Sequence, residues 1–152
     1  MTAVFADTFY FLALVNRKDK AHKRCVEFSQ TSGRPVITTA WILLEVGDAL
    51  RRGRDRQVFL RMLDDLAADP DTTVLPAEQA LLEKAIALFA ARADKEWSLT
   101  DCTSFVVIQE NGLTDALSAD RHFEQCRVHR VALSRRVMAR FNLRTRGGQK
   151  II

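Results

Sequence analysis

Short apolar runs alternate with longer amphipathic stretches along the whole chain. The short runs predict β-strands, at residues 3–6, 36–38, 73–75, 116–118 and 128–133. The longer stretches predict helices, at residues 8–15, 21–30, 40–52, 57–67, 76–92 and 100–110. Gly53 is expected to end the third helix. Strands that alternate with helices in this way predict an α/β fold with a mostly parallel sheet and helices on both faces.

Four acidic residues occupy positions where such folds build functional sites, beyond the carboxyl ends of the strands. Asp7 follows the first predicted strand, and Asp120 follows the strand at residues 116–118. Glu45 lies on the helix after the second strand, and Asp101 opens the last long helix. In a parallel sheet, all four side chains can point into one crevice.

Each acid also has a structural explanation. Asp7 and Asp120 can cap helices, because an aspartate side chain accepts hydrogen bonds from the free amides at a helix start. Asp101 forms a capping-box pattern with Ser98. Glu45 can be a partly exposed helix residue bonded to a nearby arginine. No single acid decides the matter, and only the combination favours a functional site.

Several carboxylates in one cleft repel each other and hold protons unless a cation is present. Hard oxygen ligands select Mg²⁺ or Mn²⁺. Such ions polarise a phosphodiester and lower the pKa of a bound water. The sequence therefore predicts metal-dependent phosphodiester hydrolysis with one set of catalytic and metal-binding residues, Asp7, Glu45, Asp101 and Asp120.

Composition indicates an ordinary soluble protein of one domain, with 152 residues, 47% hydrophobic and 28% charged. The net charge of +4 mildly favours a polyanionic partner. The three cysteines lack CxxC spacing, so we expect neither a disulfide framework nor a structural zinc. The apolar run at residues 9–15 is too short to span a membrane, and a cytoplasmic protein is expected.

Four stretches of the chain resemble the PIN-domain family, and in particular its VapC-type toxin ribonucleases. The matching stretches are residues 4–8, 39–45, 94–105 and 116–123. The third is the most specific and contains the pattern D-K-x-W-S-x-T-D-C-x-S-F. The similarity spans residues 3–133. One departure is the absence of a Gly-containing turn before the last strand, where the chain instead has Cys-Arg-Val-His-Arg at residues 126–130.

This resemblance implies an αβα sandwich and Mg²⁺- or Mn²⁺-dependent RNA cleavage by the toxin of a type II toxin–antitoxin system. It also implies a homodimer and a cognate antitoxin. We expect a nuclease domain at residues 1–134 followed by a basic tail at residues 135–152, for which the family pattern gives no guide. Carried over to this sequence, the acidic set is the one given above. The resemblance also implies supporting hydroxyls that orient the acids, on Thr8, Thr100 and Ser104.

Basic residues cluster in two places outside the motifs. Arg51 and Arg52 begin a cluster after the helix that carries Glu45, and the region from Arg121 to the end of the sequence is the most basic part. These side chains can bind an RNA backbone, an acidic antitoxin segment or only solvent. The histidines lack metal-ligand spacing and are predicted to be structural; they are His22, His122 and His129.

Two other functions stay open. An aspartate-based phosphohydrolase would use Asp7, but Phe9 occupies the place where that chemistry wants a second aspartate. A non-catalytic PIN-like module that binds nucleic acid would have lost one of the acids, and all four are present.

Overall fold

The computed structural model describes residues 1–131. Within that range, seven helices alternate with five short strands in the α/β pattern that the sequence predicts. The elements are β1 (Val4–Ala6), α1 (Thr8–Val15), α2 (His22–Thr31), β2 (Val36–Thr39), α3 (Ala40–Ala49), α4 (Gly53–Ala68), β3 (Thr72–Leu75), α5 (Gln79–Ala91), α6 (Leu99–Glu110), β4 (Asp115–Leu117), α7 (His122–Gln125) and β5 (His129–Arg130).

The strands form one sheet with the order β3-β2-β1-β4-β5, and every strand pairing in it is parallel. The central strand β1 is apolar at all three positions, Val4, Phe5 and Ala6, and each is fully buried. Successive side chains of a strand point to opposite faces, so burial of all three requires helices on both faces. The prediction of a three-layer αβα sandwich is confirmed.

The amino edge of the sheet is held by one arginine. The Arg34 guanidinium pairs with Asp115 at 2.7 Å and donates to the backbone carbonyls of Thr2 and Ala3. It thereby joins the amino ends of β1 and β4 to the loop before β2. All carboxyl ends meet at the opposite edge, and the last described residue, Val131, lies there directly after β5 and donates its amide to the carbonyl of Ala116 in β4.

Three predicted helix boundaries are wrong by three or four residues: the end of α3 and the starts of α4 and α5. Gly53 does not end the helix that carries Glu45, because α3 stops at Ala49 and Gly53 begins α4 instead. Its φ of +52° is left-handed, a conformation that glycine adopts without a steric penalty, and it lets the chain turn between the two helices. The fifth helix was expected to begin at Pro76, but α5 begins three residues later, at Gln79.

The short helix α7 was not predicted, because its four residues are too few to show a helical period. The last strand was expected at residues 128–133, and the structure has it at His129–Arg130. Residues 132 and 133 and the predicted tail at residues 135–152 lie outside the described residues. No helix in the described part is long and apolar enough to cross a membrane.

Candidate active site

A cavity of about 590 Å³ opens at the carboxyl edge of the sheet. All four acids predicted from the sequence line it, although they come from different elements of the fold. The lining residues are Asp7, Thr8, Phe9, Glu45, Glu96, Ser98, Asp101, Ala119, Asp120 and His122. The parallel sheet brings these side chains together, because β1 and β4 both end at this edge and α3 starts there after β2.

Asp7 joins the end of β1 to α1. It occupies the N-cap position, but its side chain makes no capping hydrogen bond. Its Oδ2 instead accepts a hydrogen bond of 2.6 Å from the buried hydroxyl of Ser118. The pKa of Asp7 is raised from 3.8 to about 6. Burial is the largest cause, the hydrogen bonds from Ser118 and the Thr8 amide act in the opposite direction, and the negative charges of Asp101 and Glu45 add to the rise.

Glu45 is held by a hydroxyl, and not by the arginine that a purely structural role would suggest. The hydroxyl of Thr8 donates to Glu45 Oε2 at 2.6 Å. Thr8 is the first residue of α1, and Glu45 lies in the second turn of α3, so this bond ties the two helices together at the cavity. Thr8 was expected to orient one of the acids, and its bond to Glu45 is of that kind.

Asp101 combines two roles that the sequence left open. Its amide donates to Ser98 Oγ at 3.0 Å, and its Oδ2 accepts from the Ser98 amide at 2.8 Å, which is a complete capping box. The same carboxylate lines the cavity.

Two other hydroxyls, those of Thr100 and Ser104, were also expected to orient the acids. The Ser104 hydroxyl donates to the backbone carbonyl of Thr100 at 3.1 Å, and Thr100 is not among the residues that line the cavity.

Asp120 is fixed by the backbone around it. Its Oδ1 accepts from the amide of His122 at 2.8 Å, and its own amide donates to Ser118 Oγ at 3.0 Å. The ring of His122 then brings Asp120 and Asp101 together, because its Nδ1 lies 3.4 Å from Asp120 Oδ2 and 3.3 Å from Asp101 Oδ2. One potential ligand atom from each of these three residues lies within 4.8 Å of the others.

Three residues of the site were not predicted from the sequence. Glu96 and His122 line the cavity, and Ser118 forms hydrogen bonds with Asp7 and Asp120. His122 was predicted to be structural because no other histidine or cysteine stands at ligand spacing, yet its neighbours here are carboxylates from distant parts of the chain. Its position two residues after Asp120 was the available signal. His22, in contrast, has the expected structural role, since its Nδ1 lies 2.9 Å from the carbonyl of Ala13.

A row of buried aromatic side chains connects the segments that carry Asp101 and Asp120. The rings of Trp97, Phe105 and Phe123 make edge-to-face contacts, with centroids 4.8 and 5.2 Å apart, and Phe123 also contacts Phe5 of β1. Trp97 precedes the capping box of α6, and Phe123 follows His122. These contacts fix the two segments that carry Asp101 and Asp120.

The basic residues singled out from the sequence lie outside this lining. The side chains of Arg51, Arg52 and Arg121 are exposed. Arg51 donates to the carbonyl of Asp48 at 2.6 Å, and Arg121 adjoins Asp120. Their expected contact with nucleic acid stays a prediction.

The PIN domain family model matches residues 4–128 of the chain. The chain belongs to the PIN domain family. Among solved structures, the fold is similar to that of VapC20 from Mycobacterium tuberculosis, which is described as a toxin that cleaves the sarcin-ricin loop. The two share 23% sequence identity with a TM-score of 0.71, over 83% of this chain and 98% of VapC20. A search of curated proteins finds no match.

The donor set of this PIN domain fits a divalent cation. Asp101 and Asp120 place carboxylate oxygens close to one another, and the pKa of Asp7 is raised partly by the negative charge of its neighbours. A cation in the cavity would relieve this repulsion.

Proposed function

We propose that this PIN domain is a Mg²⁺- or Mn²⁺-dependent endoribonuclease and the toxin of a type II toxin–antitoxin system. The observation that carries the proposal is the convergence of Asp7, Glu45, Asp101 and Asp120 on one cavity at the carboxyl edge of the sheet. Membership of the PIN family and the fold shared with a toxin described as cleaving the sarcin-ricin loop support it.

The four carboxylates would hold the cation. When bound, such an ion polarises the phosphodiester and lowers the pKa of the attacking water. The chain's own contribution is to keep the carboxylates in place before substrate arrives. Ser118 holds Asp7, Thr8 holds Glu45, and the Ser98 amide holds Asp101. Oriented ligands of this kind lower the reorganisation that accompanies the reaction.

RNA is the proposed substrate, and its backbone must approach a cavity lined by negative side chains. Cationic groups outside the cavity would offset this repulsion. We propose Arg51, Arg52 and Arg121 as contacts to the RNA backbone, since their side chains are exposed on the surface outside the cavity.

The proposed protein partners are a second copy of the chain and a cognate antitoxin. Large apolar side chains on the surface are consistent with protein contacts, and Ile86 and Phe89 on α5 are each about half exposed. The proposed location is the cytoplasm, consistent with three free cysteines at positions 25, 102 and 126.

The two alternative functions are less well supported. A binding module without activity has no need for four acids in one cavity, where their repulsion costs free energy. A phosphohydrolase that uses Asp7 as nucleophile wants a second acid two residues later, and Phe9 lines the cavity at that place.

The deciding experiment measures cleavage of RNA by wild type and Asp7→Asn in Mg²⁺ and in Mn²⁺. The substitution keeps the shape of the side chain and removes its charge. Because a metal-bound site supplies several kcal/mol of transition-state stabilisation, we expect a loss in rate of roughly 10²- to 10³-fold or more. Asp64→Asn is the matched control, since Asp64 is exposed on α4 and outside the cavity. Equal cleavage by wild type and Asp7→Asn would reject the nuclease assignment.

A further inference from the structure

The imidazole of His122 occupies an unusual place for a side chain with no assigned role. Its Nδ1 faces two carboxylates at nearly equal distances, 3.3 Å from Asp101 Oδ2 and 3.4 Å from Asp120 Oδ2. Both separations exceed the 2.7–2.9 Å that is typical of a charge-assisted N–H···O hydrogen bond. They are close to the spacing of neighbouring donor atoms around one cation, since ligands about 2.1 Å from a metal lie roughly 3.0–3.4 Å apart.

The surroundings hold this arrangement in place. The backbone amides of Ser98 and His122 each fix one oxygen of Asp101 and Asp120. Arg130 pairs with Glu124 and donates to the carbonyl of Ala119 at 2.7 Å, which braces the loop that carries Asp120 and His122. The three side chains are therefore set in position by the fold and need little movement to share an ion.

We propose that His122 supplies a nitrogen ligand, through Nδ1, to the cation held by Asp101 and Asp120. Imidazole nitrogen is a softer donor than carboxylate oxygen and binds Mg²⁺ poorly, whereas Mn²⁺ and the later divalent ions accept it. The ratio of Mn²⁺ affinity to Mg²⁺ affinity is then larger at this site than at a site built only from carboxylates. This inference rests on the proposed metal-dependent function and names the chemistry of the same site.

A purely orienting role is the competing explanation. In that role Nδ1 carries a hydrogen and donates it to the two carboxylates, and a cation contacts oxygen only. His122→Asn separates the two, because the side-chain amide nitrogen of asparagine occupies nearly the same position as Nδ1. That amide nitrogen can donate a hydrogen bond, but it offers no lone pair to a metal. The side-chain oxygen of asparagine is a hard donor, so a metal that it binds gains an oxygen ligand and still loses the directly bound imidazole nitrogen.

The experiment uses the full-length protein loaded with Mn²⁺ and probed by electron spin echo envelope modulation, which detects nitrogen-14 bound to the ion. The wild type should show the nitrogen signal, and His122→Asn should lose it. His129→Asn is the matched control and should keep it, because His129 is exposed on β5 and outside the cavity.

Equilibrium binding gives a second readout on the same proteins. Loss of even an outer partner of a metal ligand commonly weakens affinity 10- to 100-fold, so His122→Asn should weaken Mn²⁺ binding by roughly tenfold or more. The affinity for Mg²⁺ should change far less. The ratio of Mn²⁺ affinity to Mg²⁺ affinity should therefore be smaller in His122→Asn than in the wild type.

Three results would overturn the proposal. If Mn²⁺ binds the wild type without a nitrogen signal, or if His122→Asn keeps both the signal and the preference, His122 is not a ligand, while the metal-dependent nuclease stands. If Mn²⁺ does not bind the wild type at all, the proposed function fails together with this inference.

Discussion

The hydroxyl of Ser118 joins two acids that the sequence places more than a hundred residues apart. It donates to Asp7 Oδ2 and accepts from the amide of Asp120, so a single buried side chain sets the spacing between them. The four acids could be predicted because they stand at strand ends and helix starts. The role of Ser118 could not be predicted, because it depends on a contact with Asp7, which is distant in sequence. The position of His122 two residues after Asp120 was a signal, but its contact with Asp101 does not show in the sequence.

Asp7 predicts a pH dependence of folding in the absence of metal. Its pKa is about 6 in the folded state against an ordinary 3.8, so the folded state binds the proton more tightly than the unfolded chain. Its stabilising contribution is complete below about pH 4 and is lost as the pH rises through about 6, and the shift corresponds to about 3 kcal/mol.

Urea unfolding in EDTA at pH 4 and at pH 7 tests this predicted pH dependence. The free energy of unfolding of the wild type should fall between these pH values by about 2 kcal/mol more than that of Asp7→Asn, which has no charge to bury. Parallel pH profiles for the two proteins would contradict the raised pKa of Asp7.

At the scale of elements, α7 shows what a hydrophobic pattern does not reveal. The helix has four residues, and its position depends on the burial of Phe123 against Phe5 and Phe105. The long helices and β-branched strands were predicted from their periods, with errors of one to three residues at most ends. The turn of the chain between α3 and α4 was not predicted, because the hydrophobic pattern does not reveal the left-handed φ of Gly53.

Phe123→Ala should destabilise the protein by roughly 3–5 kcal/mol, the usual cost of removing a fully buried phenylalanine. Because Phe123 anchors α7, which begins at His122, the rate of RNA cleavage should also fall. This loss should be seen at low temperature, in the molecules that remain folded. Phe89→Ala on the exposed side of α5 is the control and should cost far less. Denaturant unfolding and rate measurements on the same samples test both effects, and equal stability of the two variants would exclude an anchoring role for Phe123.

At the scale of the whole molecule, the charge at the cavity and the net charge of the sequence have opposite signs. The carboxylates gather in the cavity at one edge of the sheet, while the net charge of the sequence is +4. A substrate with a phosphate backbone is attracted by the total charge and repelled locally at the cavity. The sequence indicated the charge balance and the fold class, and the parallel sheet then determined where the acids meet.

Changing Arg51, Arg52 and Arg121 together to alanine should weaken RNA binding and flatten its salt dependence. Each lost phosphate contact on a single strand lowers the slope of log affinity against log salt by about 0.7, so the expected decrease is about 2. RNA affinity is measured at several salt concentrations, with Asp7→Asn present in every protein variant so that the RNA is not cleaved. A triple alanine variant of Arg17, Lys18 and Lys20 removes the same charge from another exposed segment. An equal effect from both variants would show that only total charge matters.

The opposite positions of the amino and carboxyl ends of β1 have a practical consequence for anyone who purifies this protein. A polyhistidine tag brings additional imidazoles, which compete for the ions that the acids at the carboxyl edge would bind. The first strand starts at the opposite edge, so a tag fused before Met1 begins its path away from the cavity. Titrations with manganese should therefore use protein tagged at the amino terminus, with the tag removed.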